Sequence, residues 1–152
     1  MRVSTKSDYA LRALIAMVGQ PEGQPVSAEE IARQQDIPAG FLQSILADLR
    51  RAGIVLSQRG QYGGWRLATD PAQVTVADVV RAVDGPLVSV YGLRPEAVKY
   101  NPTAEALQLV WIATRSSLRD VLEHVTIRNL ADHKVPAEVA LHTKDKEAGR
   151  PH

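Results

Sequence analysis

The sequence predicts a mainly α-helical fold with one small β-hairpin, in the order of a winged helix-turn-helix followed by a long C-terminal helix. Three observations carry this prediction. Three helical patterns precede a short β-type pattern, with cap and turn residues at each junction. A stripe of apolar residues at helical spacing, about 20 residues long, follows near the C-terminus. Between Asp48 and Asp70 the chain has no acid, yet it holds Arg50, Arg51, Arg59 and Arg66.

The first helix is marked by Leu11, Leu14, Ile15 and Val18, which share one face at i, i+3, i+4 and i+7. Ser7 is its expected cap, with Asp8 favourable in the first turn. After the polar break GQPEGQP, Ser27 and Glu30 form a capping-box pattern that opens a short helix. The tight connection QDIP turns near Ile37. Pro38 then opens a helix whose buried face is Leu42, Ile45, Leu46 and Leu49, and Gly53 stops it. IVLSQ and WRLA are short β-type runs joined by RGQYGG, a hairpin whose loop needs glycine conformations. Thr75 caps a fourth helix carrying Val76, Val79, Val80 and Val83, which ends at Gly85-Pro86. Residues 86–102 contain three prolines and read as loop. From Thr103 the stripe Leu107, Trp111, Thr114, Leu118, Val121 and Val125, flanked by Val110 and Leu122, is longer than a lone small domain needs. Periodicity fades from about residue 134, where a mobile tail is expected.

Composition excludes much. The chain has 152 residues, 45% hydrophobic and 23% charged, which suits an ordinary globular protein. With no cysteine, disulfides, thiolate catalysis and cysteine-ligated zinc or iron–sulfur centres are excluded. Asp8 and Arg12 interrupt the apolar N-terminal segment, so neither a signal peptide nor a membrane span is expected, and the cytoplasm is the default. The histidines His124, His133, His142 and His152 show no i, i+4 pairing or nearby acidic triad, so a metal is not expected unless a dimer brings His124 and His133 together. No nucleophile–base pair or phosphate-binding loop is present, since GQYGG lacks the lysine and helix that such a loop requires. An enzyme and a cofactor are not expected.

The order of elements assigns the third helix to recognition and the hairpin to the wing. A loop lying on a polyanion must lack carboxylates, and a long cation such as Arg59 suits a narrow minor groove. Tyr62 and Gly63 belong to the same wing tip. Gln43 and Ser44 point outward from the N-terminal half of the recognition helix, where side chains reach base edges; the plainer reading is that both are solvated. Arg50 and Arg51 either meet phosphates or favour the helix dipole. Arg2 and Lys6 either clamp phosphate or are ordinary terminal charges.

MRVSTKSDYALRAL, IPAGFLQSILADLRRAGIVLSQRGQYGGWRLA and VTVADVVRAVDGP together resemble, in order and spacing, the IscR/NsrR family of bacterial winged-helix transcription regulators. The resemblance is strongest over residues 1–86, and RG..GG..LA beside AGIV is its most specific motif. It implies a homodimer on a palindromic operator, paired through a long C-terminal helix. Leu107, Val110, Trp111, Leu118, Val121, Leu122 and Val125 would then form the dimer interface. Residues 1–86 would be the DNA-binding domain, 87–102 the connecting loop, 103–133 the dimerisation region and 134–152 the tail.

The family's iron–sulfur sensors use three cysteines in that connecting loop. Here the loop is PLVSVYGLRPEAVKYNP, with none, and Asp8, which stands where some relatives place an acidic ligand, cannot hold a cluster alone. A cluster is therefore not expected. Tyr91, Tyr100 and Trp111 offer a candidate small-molecule effector pocket; the preferred reading is that Trp111 packs in the dimer and the tyrosines anchor the loop. The sequence thus points to a DNA-binding transcriptional regulator, a homodimeric repressor on double-stranded DNA. The competing reading is a protein-interaction module built on a winged-helix platform.

Overall fold

The computed structural model describes residues 1–21, 23–145 and 148–151. Helix α1 spans Thr5–Val18. Ser4, not Ser7, caps it, its hydroxyl oxygen accepting from the Ser7 amide at 2.9 Å. Ser7 is buried within the first turn instead, and its Oγ donates to Asp84 at 2.6 Å. Ser4 Oγ also donates to Asp84. A carboxylate at the C-terminus of its own helix is unfavourable, but here it faces the positive end of α1 and two hydroxyl donors.

Helix α2 spans Ala28–Gln35 and is capped by Ser27, which accepts from the Glu30 amide at 3.2 Å. The Glu30 side chain does not reach back to close the box. It pairs with Arg33, which holds its carboxyl down at about pKa 2. The turn is made by Asp36 in the left-handed conformation, φ 52°. Helix α3, Ala39–Arg51, follows with Pro38 as N-cap. Its face Leu42, Ile45, Leu46 and Leu49 is buried, and the chain leaves at Gly53 with φ 76°.

The wing is the antiparallel pair β1 (Val55–Gln58) and β2 (Gly64–Leu67), in register Val55↔Leu67 to Gln58↔Gly64. It is fastened to the loop before α2: Val26 N–H donates to the Trp65 carbonyl at 2.9 Å, and Trp65 N–H returns to Val26 at 2.8 Å. Helix α4, Val76–Asp84, carries a complete capping box between Thr75 and Asp78. The core is one cluster shared by α1 to α4, β1 and a later helix. Leu14, Ile31, Leu42, Ile45, Leu46, Leu49, Val55, Val79 and Ile127 are all fully buried in it. Small Ala10 and Ala13 let the other helices come close to α1.

Helix α5, Ala106–Leu122, is shorter than the expected region 103–133. The chain then returns to the winged helix. A second complete capping box, Thr126 with Asn129, opens α6 (Ile127–Ala131), and Ile127 N–H donates to the Val74 carbonyl at 2.9 Å. Val125 lies beyond α5 and is only 6% exposed, with its carbonyl accepting from Val76 N–H. It is therefore a core residue of its own chain, not a member of the expected interface. The tail is also more ordered than expected, since Ala137–Thr143 forms helix α7, although none of its residues is buried. Lys146, Glu147 and His152 of that tail lie outside the described residues, as does Glu22.

Candidate nucleic-acid interface

The outward side of α3 is set by its inward side. Burying Leu42, Ile45, Leu46 and Leu49 leaves Gln43, Ser44, Ala47, Arg50 and Arg51 exposed. The Ser44 hydroxyl donates to the Phe41 carbonyl at 3.1 Å, which frees its lone pairs to accept from a ligand. Gln43 makes no side-chain hydrogen bond among the described residues, so both ends of its amide remain available. Arg50 is likewise unpaired, whereas Arg51 donates to Asp48 at 2.9 Å.

At the wing tip Arg59, Gly60, Gln61 and Tyr62 are all exposed, Tyr62 at 83%. Arg59 has no ion-pair partner among the described residues, as the acid-free segment requires. Gly63 is there for closeness: a Cβ would stand 2.2 Å from the Gln58 carbonyl oxygen. Its amide closes the tip by donating to Gly60 at 3.0 Å.

The N-terminal cations divide. Arg2 is exposed ahead of α1. Lys6 is not free for phosphate, because its ammonium donates to Asp48 on α3 and ties α1 to the recognition helix. Lys6 holds the Asp48 carboxyl below the usual carboxylate range. A depressed folded pKa stabilises fully above the unfolded carboxylate value, and that contribution is lost as pH falls through the folded value. Asp48→Asn should therefore lower Tm by about 2–4 °C at pH 7 and by progressively less below pH 4, read from parallel melts.

Phe41 was not singled out by sequence reasoning. It is 56% exposed, one residue off the buried stripe, and its ring meets Tyr9 edge-on at 6.2 Å. Arg12 lies 4.8 Å over the Tyr9 ring and donates to the Gln35 carbonyl at 2.8 Å, tying α1 to the turn. An exposed aromatic beside Gln43 can meet a thymine methyl. Spacing alone does not mark it out, because Phe41 is one turn before Ile45 at the edge of the buried face, and only the fold leaves it exposed.

Helix α5 reverses the usual pattern. None of its residues is buried; Leu107 (43%) and Val110 (50%) stand exposed on its apolar stripe, and Leu109 (68%) on the opposite side. Trp111, Leu118, Val121 and Leu122 are half-buried on the same stripe. Polar residues also fasten it to its own chain. Gln108 donates to the carbonyls of Pro95, Glu96 and Val98, and Arg115 makes a two-point pair with Glu96.

Tyr91, Tyr100 and Trp111 are not in the wall of the arginine-lined cavity beside the connecting loop. Tyr91 is 89% exposed at φ 53°. The cavity at this place is lined by Arg81, Arg94, Arg115 and Arg119, and by none of the three aromatics.

A family model described as Rrf2, iron-dependent transcriptional regulator, matches residues 3–133. The chain is 38% identical over 148 residues to the Mycobacterium tuberculosis HTH-type protein Rv1287, covering 97% of this chain and 92% of that one. It is 32% identical over 133 residues to the HTH-type transcriptional regulator CymR of Bacillus subtilis, covering 88% and 91%. The solved structure of that CymR, the global cysteine regulator of B. subtilis, aligns with a TM-score of 0.73 at 30% identity, covering 88% of this chain and 98% of that chain. IscR of T. potens aligns with a TM-score of 0.70 at 26% identity, covering 100% and 93%.

The iron dependence in the family description does not fit this donor set. There is no cysteine, the one acid of the connecting loop, Glu96, is engaged by Arg115, and Asp8 lies 3.1 Å from Arg12 Nε. Among the described residues no three histidine, aspartate or glutamate side chains stand together as metal ligands. The family match runs without a break from α1 through the return helix α6, so one assignment covers both halves: the chain belongs to the Rrf2 family and is a DNA-binding transcriptional regulator.

Proposed function

We propose that the protein acts in the cytoplasm as a homodimeric repressor, reading a pseudo-palindromic operator without an iron–sulfur cluster and without enzymatic activity. The observation that carries the dimer is the apolar stripe of α5, exposed at Leu107 and Val110 and only half-covered at Trp111, Leu118, Val121 and Leu122. An apolar helix face of this length is costly to leave in water, and a second copy of the same face would cover it. Pairing through a two-fold axis would present two recognition helices and two wings to successive turns of DNA. No helix among the described residues is long and apolar enough to cross a membrane.

In this reading Gln43, Ser44 and Phe41 meet base edges, Arg59 with Tyr62 enters the adjacent minor groove, and Arg2 and Arg50 meet phosphates. Arg59→Ala should weaken operator binding about tenfold and reduce the salt slope by about one, measured by fluorescence anisotropy across a salt series. Unchanged affinity and slope would remove Arg59 from the interface.

A further inference from the structure

The polar side of α5 encloses a feature outside the proposed DNA interface. Between the C-terminal end of α4, the connecting loop and α5 lies a cavity of about 840 Å³. Its walls carry the guanidinium groups of Arg81, Arg94, Arg115 and Arg119, while Leu87 and Val88 supply apolar surface. The acids nearby are too few. Glu96 is taken by Arg115, and Glu123 is shared between Arg81 and Arg119. Both carboxyls are held below their ordinary range by these arginines. The Arg94 side chain makes no hydrogen bond or close ion pair among the described residues, although its charge helps hold the Glu96 carboxyl down. Four cations facing two carboxylates leave two positive charges in excess around a partly apolar space of ligand size.

We propose that this cavity binds a small organic anion, a carboxylate or phosphate ester on a compact apolar body, and that its occupancy is relayed to the recognition helix. Arg94 supplies a guanidinium not held in a hydrogen bond, and an entering anion competes with Glu123 for Arg81 and Arg119. Arginine suits this role because its planar fork meets carboxylate and phosphate oxygens in pairs. Arg115 and Arg119 lie about a quarter-turn from the centre of the apolar stripe of α5, beside its edge.

The relay is a chain of polar contacts. Arg81 stands one turn before Asp84, which receives the hydroxyls of Ser4 and Ser7 at the start of α1. Lys6, in that same turn, is paired with Asp48 on α3. A shift at the end of α4 therefore reaches the base-reading helix through fixed partners rather than across solvent.

The test uses phenyl phosphate and benzoate as probes on the full chain, at constant ionic strength, followed by amide NMR. Saturable shifts at residues 81–97 and 115–119 are expected, with benzyl alcohol inert and inorganic phosphate weaker. Whichever of the two probes binds more tightly identifies the headgroup class. Arg94→Ala should weaken binding about tenfold, and Glu123→Gln should tighten it about threefold by releasing Arg81 and Arg119. The amides of Ser4, Lys6 and Ser7 should move in the same titration. This readout needs no DNA, so it stands or falls apart from the operator reading, on which only the regulatory consequence rests. Absence of saturable shifts, or equal affinity in Arg94→Ala, overturns the site. Local saturation with stationary α1 amides overturns the relay. A loss of DNA affinity in Arg94→Ala without anion binding would reassign the cavity to DNA phosphate and overturn the proposal.

Discussion

Leu107→Asp combined with Val110→Asp is expected to yield a folded monomer that binds the operator at least about 100-fold more weakly. The size follows from losing the second half-site, since tethering two reading heads raises affinity by roughly two to four powers of ten. Folding should survive, because neither residue is buried in its own chain and the core cluster lies entirely outside α5. Light scattering gives the mass, thermal circular dichroism reports the fold and anisotropy the affinity. A variant that stays dimeric would place the interface elsewhere.

Gly64→Ala is the second large expected effect. A Cβ at this position would stand 2.5 Å from the carbonyl oxygen of Val26, in a backbone that cannot give way without breaking the Val26–Trp65 bridge. Its φ of 147° adds strain for any L side chain. Together these should cost about 1–3 kcal/mol. At this chain length each kcal/mol lowers Tm by about 2–4 °C. The wing would also come loose from the body, so DNA affinity should fall even at temperatures where the variant is folded. A variant with wild-type Tm and affinity would show that the wing does not dock through this contact.

Most of the winged helix was legible because its signals are local. Ser27, Asp36-Ile37-Pro38, Gly53 and Thr75 each mark a boundary through the backbone of the next few residues. The failures have long-range causes. Ser7 looked like a cap because its true partner, Asp84, is 77 positions away. Val125 continues the spacing of Leu118 and Val121, but Thr126 and Asn129 form a capping box that opens a new helix, so the periodic pattern outran the helix itself. Lys6 reads as a phosphate clamp or a loose terminal charge until α3 places Asp48 beside it. The α7 helix is seven residues with no side-chain cap, too short for periodicity to stand out. The arginine cavity was invisible because Arg81, Arg94, Arg115 and Arg119 come from α4, the connecting loop and α5 and meet only in the fold.

The missing cysteines were the most informative sequence feature. A family described by iron dependence is met here by a connecting loop whose polar chemistry is guanidinium and carboxylate. In the proposed reading, DNA binding stands without a cluster to order the loop. The polar contacts of Gln108 to three loop carbonyls and of Arg115 to Glu96 supply that order from α5 itself.

The most direct test of the central claim is footprinting of the chelator-treated full chain on the DNA upstream of its own gene, at near-physiological salt. A protected, roughly palindromic site of two half-sites is predicted, with protection unchanged by added iron and sulfide. Affinity no better than for random duplex, or protection appearing only after iron is restored, would contradict a cluster-independent homodimeric regulator.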